Sequence, residues 1–137
     1  METATEVQLS ELRLGNWVVY PTYEDEGVTD WGEKQLEEDD FVELIQRSDI
    51  FVKPIRLSPE LLEKCGFKKW ASGCFSKQID EYICFQIEDD GRYGFWSDSV
   101  ENECNFTVLS QDNRIHYLHQ LQNLYHALTG QELEVNL

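Results

Sequence analysis

The sequence contains no apolar run approaching the roughly 18 residues that a membrane span needs. Its opening Met1-Glu2-Thr3-Ala4-Thr5-Glu6 lacks the basic and apolar regions of a secretory signal. Together these absences predict a cytoplasmic chain with no membrane association. Basic residues are scarce: 11 Lys+Arg stand against 27 Asp+Glu, a formal net charge of −16. A surface of that sign is repelled by phosphate, which argues against direct binding to nucleic acid or to anionic membranes. The four cysteines, Cys65, Cys74, Cys84 and Cys104, include no Cys-x-x-Cys pair, so the close ligand pairs of zinc ribbons and thioredoxin-like sites are missing. Their number permits a disulfide framework, but a cytoplasmic protein with an ordinary core neither needs one nor keeps it oxidised. Cys84, within Tyr82-Ile83-Cys84-Phe85, and Cys65, at a helix end, are expected to be small buried hydrophobes. A glycine-rich phosphate loop is also lacking, because Gly91-Arg92-Tyr93-Gly94 belongs to a hairpin with no helix to aim amides at a phosphate. Glu88, Asp90 and Gly91 have the flavour of a calcium loop, without its spaced ligands and closing Glu.

What is present suffices for a core. The 137 residues are 41% hydrophobic and include four Trp, six Tyr and seven Phe, which suits one compact domain and excludes a wholly disordered acidic tail. Gly15-Asn16 reads as a turn into a strand, Trp17-Val18-Val19-Tyr20, that ends at Pro21. From Glu24 to Glu43 there are ten acidic residues and one lysine, and a mobile, solvated acidic loop is expected over 24–40. Phe41 to Ile45 and Ile50 to Ile55 flank Arg47-Ser48-Asp49 and suggest an antiparallel pair with Pro54 near an edge. Ser58-Pro59-Glu60 opens a short helix that Gly66 closes, with Phe67 folding back on Leu62. Hairpins are predicted around Ala71-Ser72-Gly73 and around Asp89-Asp90-Gly91, where the Asp-Gly pair supplies the positive φ of a tight turn. Asn105 to Leu109 makes a further strand, Arg114 to His116 is a candidate for another, and the alternating Glu132 to Leu137 reads as a short terminal strand.

The clearest helix runs from Tyr117 to Leu128 and stops at Thr129-Gly130. Leu118, Leu121, Leu124, Tyr125 and Leu128 fall on one face roughly 120° wide. The fold class that follows is α+β: a single domain over 1–137, with a mostly antiparallel sheet packed by this amphipathic C-terminal helix and one short central helix. His119 and His126 lie away from the leucines, two turns apart, and read as solvated surface residues. His116 and His119 supply at most two ligands of a metal site. Cys104 with His116, and Ser97 or Ser99 with Asp98, are nominal nucleophile pairs, none in a setting such as Gly-x-Ser-x-Gly. No catalytic residue, cofactor or metal ligand is therefore assigned.

Charge distribution is the strongest remaining signal. Arg47 to Lys77 carries seven basic and three acidic residues, whereas Glu88 to Glu103 carries six acidic residues and only Arg92. Carboxylates concentrated this way suit a basic partner, including the nucleic-acid groove of another protein, whose phosphates they imitate. Net charge that merely keeps a small protein soluble is the plainer reading, and pairing of unlike segments in a homo-oligomer is a third.

Three blocks also carry a resemblance: Glu11-Leu12-Arg13-Leu14-Gly15-Asn16-Trp17-Val18, then Pro54 to Leu62 with Cys65-Gly66-Phe67, and above all His119-Gln120-Leu121-Gln122-Asn123-Leu124-Tyr125-His126-Ala127-Leu128-Thr129-Gly130-Gln131-Glu132-Leu133. In these the chain resembles a family of small uncharacterised proteins found in bacterial and phage or prophage genomes. The resemblance implies an accessory role and supplies no catalytic residues. The expectation is a non-enzymatic interaction domain whose acidic surface, at Glu37, Glu38, Asp39, Asp40, Asp89 and Asp90, engages a basic nucleic-acid-binding protein. The alternative is a small enzyme or ligand-binding protein with a pocket between the C-terminal helix and the sheet, lined by Trp17, Trp70 and Trp96.

Overall fold

The computed structural model describes residues 7–24, 27–47, 50–79, 83–98, 104–108 and 114–137. The fold is α+β, with two antiparallel sheets and three α-helices among the described residues. The chain divides into two compact units, Met1–Arg56 with Tyr117–Leu124 and Leu57–His116 with Tyr125–Leu137. None of the helices among the described residues is long and apolar enough to cross a membrane.

In the first unit a 3₁₀ turn, Leu9–Glu11, leads to the Gly15 turn and to β1 (Trp17–Glu24), which pairs with β2 (Gly27–Gln35). Gly15 has φ 90° and sits third in the turn that Asn16 N–H closes on the Arg13 carbonyl. Only a residue tolerant of positive φ fits that place. The strand does not end at Pro21, which instead pairs opposite Trp31. The Trp17 amide donates to Gln122 Oε1 and the Val19 amide to the Lys53 carbonyl, so alternate amides of β1 point away from β2. Pro21 continues that series, and its missing N–H falls where the β1–β2 ladder has no need of it.

Within the stretch expected as an acidic loop, 24–40, residues 27–35 are instead strand β2 and 38–40 the start of α1 (Glu38–Gln46), while 25 and 26 lie outside the described residues. Likewise Phe41 to Ile45, expected as a strand paired with Ile50 to Ile55, is helical, and the latter makes only a single bridge from Lys53 to Val19. Local chemistry explains the helix. The Glu37 amide donates to Asp40 Oδ2 at 2.8 Å, the back-reaching half of a capping box. Acidic side chains fill the first turn, at the positive end of the helix dipole. Leu36 just before the cap is buried in a cluster with Val7, Leu12, Val18, Tyr20 and Val52, against which Phe41 and Leu44 pack. Apolar groups at the positions before and four after the cap fix the entry of a helix in this way.

The second unit holds α2 (Pro59–Lys64) and a five-stranded meander, β3 (Lys68–Ala71), β4 (Cys74–Gln78), β5 (Ile83–Glu88), β6 (Tyr93–Asp98) and β7 (Cys104–Val108). Both ends of α2 follow the sequence expectation. Ser58 Oγ accepts the Leu61 amide at 3.1 Å, Gly66 has φ 91°, and the Phe67 amide reaches the Leu62 carbonyl. Both predicted hairpins form, with Gly73 and Gly91 at positive φ. Phe67 and Phe85 meet edge-on at 5.8 Å, and Phe85 and Tyr93 at 6.3 Å. Arg114 to His116 and Glu132 to Leu137 are not strands; the Ile115 amide is held by the Gly91 carbonyl and the Asn136 amide by Lys64. Leu109 lies outside the described residues.

The last helix, α3 (Leu118–Thr129), begins and ends as expected, with the Tyr117 amide accepted by Gln120 Oε1 and Gly130 at φ 75°. Its buried face differs from the expected one. Leu118, His119, Leu121, Gln122 and Tyr125 are buried, whereas Leu128 is exposed. At 100° per residue that face is centred roughly 80° from the leucine stripe, and it takes in His119, which was expected at the surface.

Candidate functional site

Of the acidic residues singled out from sequence, three occupy the first turn of α1, Glu38, Asp39 and Asp40, and Glu37 caps it. Glu38 and Asp39 are exposed and make no ion pair among the described residues. Glu37 and Asp40 are engaged locally, Asp40 by the Glu37 amide and by Lys34 Nζ at 3.6 Å. The helix α1 contains Glu38, Asp39, Asp40 and Glu43 and no basic residue. It also leaves Val42 and Ile45 exposed, so its outer side is both acidic and apolar.

Asp89 and Asp90 lie in the β5–β6 turn of the second unit and are exposed. Asp90 is committed: Arg92 Nε lies 2.9 Å and Arg114 Nη1 3.3 Å from its Oδ2, and the Arg92 amide donates to Oδ1. These contacts hold its carboxyl below the usual aspartate range, the Arg92 amide contributing most. The Asp89 amide donates to the Gly73 carbonyl, and its carboxylate lies against Gly73. Turn chemistry and charge therefore coincide at this pair.

Sequence reasoning missed a buried polar network that joins the first and last resembling blocks. Asn16 and Gln122 are fully buried. The Gln122 side chain accepts the Trp17 amide at 2.8 Å and donates to the Gly15 carbonyl at 2.9 Å. Asn123 Oδ1 accepts from Asn16 Nδ2 and from Arg13 Nε, while its Nδ2 donates to the Glu11 carbonyl at 2.8 Å. His119 Nε2 lies 3.2 Å from Glu11 Oε1, and its Nδ1 is buried with no hydrogen-bond partner among the described residues. Burial lowers the His119 pKa, opposed by the hydrogen bond and charge of Glu11. A signal for this network existed: α3 has not one Asp, Glu, Lys or Arg in a chain that is 28% charged. Side-chain amides can be buried when each hydrogen bond is met, and ionised groups rarely can.

A pocket of about 200 Å³ opens at the edge of the first unit's core, lined chiefly by Leu9, Leu12, Leu44, Ile50, Phe51 and Val52. It does not include Trp17, and the side chains of Trp70 and Trp96 lie outside the described residues. Among those residues no group of three or more His, Cys, Asp or Glu converges as a metal site. Cys65, Cys74 and Cys84 form no disulfide among the described residues; Cys65 and Cys84 are buried, and burial pushes the Cys65 pKa up to about 11. No protein-family model, curated protein or solved structure matches the chain.

Proposed function

We propose that the chain is a non-enzymatic, cytoplasmic interaction domain, an accessory protein of a phage or mobile element, whose acidic α1 face engages a basic nucleic-acid-binding protein. The observation behind this reading is the first turn of α1, where Glu38 and Asp39 stand exposed on a helix without a single basic residue. Carboxylates held in a row on a rigid element keep their spacing on binding, and like charges beside them repel anionic competitors. The Asp89-Asp90 turn contributes less, because Arg92 and Arg114 already neutralise Asp90.

The test is affinity capture from host lysate at low and high salt, with Glu38→Lys/Asp39→Lys beside Glu38→Gln/Asp39→Asn. These positions leave the Glu37–Asp40 cap intact, and lysine in the first turn costs only about 0.3–1 kcal/mol per site. A basic nucleic-acid-binding protein bound at low salt, weakened by the neutral variant and lost from the reversed one, is the expected result. Capture that ignores both salt and reversal would remove the charge-driven reading.

A further inference from the structure

We infer that β2 is the edge to which a second copy of this chain adds, its own β2 running antiparallel about a two-fold axis at Gly32, so that the two hairpins join into one continuous sheet.

The edge is open. Among the described residues β2 pairs with β1 alone, and none of its nine residues is buried. Leu36 turns both backbone groups toward β1, its amide to the Asn16 carbonyl and its carbonyl to the Gly15 amide. By strand alternation Lys34, Gly32 and Asp30 do the same, whereas Gln35, Glu33 and Trp31 present theirs to the outside. Such an edge is a template for another strand. Its bulkiest side chain leans away from it. The Trp31 ring reaches back to Phe51 at 5.4 Å, with Lys53 Nζ over it at 4.0 Å, and Lys53 is bridged to Val19 on the far side of β1.

Gly32 is a second, independent sign. Its φ is not positive, and a Cβ there would meet no atom within 4 Å. Tyr20, its neighbour across the ladder, directs its hydroxyl to Glu43. Glycine weakens a strand interior, and one that its own chain does not require marks a close approach by another backbone.

Charge names the occupant. Asp30 and Lys34 stand two residues to either side of Gly32, so pairing about that glycine sets each Asp30 opposite the other copy's Lys34. These are the closely spaced, non-hydrogen-bonded positions of the ladder, with Cα atoms ~4.5 Å apart, where opposite charges attract. Pairing about Trp31 would leave both groups without a counter-charge, and pairing about Glu33 would set like charges together. Asp30 now accepts the adjacent Trp31 amide at 2.8 Å; in the pair that amide passes to the other copy's Glu33 carbonyl and the carboxylate to its Lys34. Lys34 Nζ lies 3.6 Å from Asp40 with its side chain 41% exposed, and an ammonium has donors for both carboxylates.

Sedimentation velocity from micromolar to millimolar protein in physiological salt tests this. The expected result is a concentration-dependent dimer that Asp30→Lys weakens about tenfold or more, since symmetry places like charges together on both sides of the axis. Net charge predicts the reverse, because Asp30→Lys makes each copy less negative. The swap Asp30→Lys/Lys34→Asp keeps the composition and should restore the dimer. Gly32→Cys brings one thiol from each copy to the axis, inside the ~4.4–6.8 Å Cα separation that a disulfide spans, so mild oxidation should link this variant and not the parent chain. Thermal unfolding confirms that each variant is folded. A monomer at every concentration overturns the inference, as does a dimer that Asp30→Lys leaves unchanged or strengthens, or that the swap does not restore. A dimer without the Gly32→Cys cross-link is held by another surface and overturns it too. None of these readouts involves Glu38 or Asp39, so the acidic α1 face is tested separately.

Discussion

At the scale of single residues, the best-determined groups are buried and polar. Gln122 meets two backbone partners at once, the Trp17 amide and the Gly15 carbonyl, and nothing apolar of similar shape replaces either bond. Gln122→Leu is expected to cost about 2–4 kcal/mol, since each backbone group left unpaired in the interior costs about 1–3 kcal/mol; urea unfolding measures it, and a loss below about 0.5 kcal/mol would show that water reaches both groups. His119 is tuned differently. Desolvation lowers its pKa from 6.5, more than Glu11 raises it, so the fold holds the neutral imidazole. The unfolded chain then binds the extra proton as acidity rises. This contribution to stability is complete above pH 6.5 and declines as pH falls through 6.5 toward the lower native pKa. Carboxylates also titrate in acid, so the comparison is with His119→Gln: between about pH 8 and pH 5 the native sequence should lose more stability than the variant. Equal slopes would mean that His119 takes up its proton without cost.

Among the elements, α1 and α2 show why one helix was legible and the other was not. Ser58-Pro59-Glu60 and Cys65-Gly66-Phe67 are start and stop signals in six or so neighbouring residues, and the structure uses each of them. The start of α1 relies on Glu37 and Asp40, two acidic residues among ten that read as a solvated run. Its apolar positions, Phe41 and Leu44, are spaced for a helix but too few to exclude a strand. The cap predicts a measurable weakness. Asp40→Ala should destabilise the protein by about 1 kcal/mol and should speed hydrogen exchange in α1 more than in β5. Uniform exchange across both elements would mean that packing of Phe41 and Leu44, and not the cap, holds the helix. In α3 the ends are legible in the sequence and the buried face is not, because His119 and Gln122 are buried through hydrogen bonds that a hydrophobic stripe does not reveal.

For the whole molecule, charge is the property visible without any fold. A net −16 repels itself, and screening relieves that repulsion as the Debye length shrinks from ~30 Å at 0.01 M salt to ~8 Å at 0.15 M. Thermal midpoints should therefore rise over that range, although the exposed Arg92–Asp90 pair and the partly covered Lys34–Asp40 pair weaken. A falling midpoint would assign those pairs more weight than the net charge. The two tight hairpins, the capped helix α2 and the limits of α3 were determined by the sequence alone, because each depends on contacts within a few residues, and the fold class followed from the order of these elements. Three things were decided only in three dimensions: that 27–35 is a strand and 38–40 a helix start, that His119 is buried, and that Gln122 and Asn123 meet the Gly15–Trp17 turn across more than a hundred residues of chain. The reason is physical. A polar side chain reads alike in water and in a hydrogen-bonded interior, and only the partner that the tertiary fold brings to it tells the two apart.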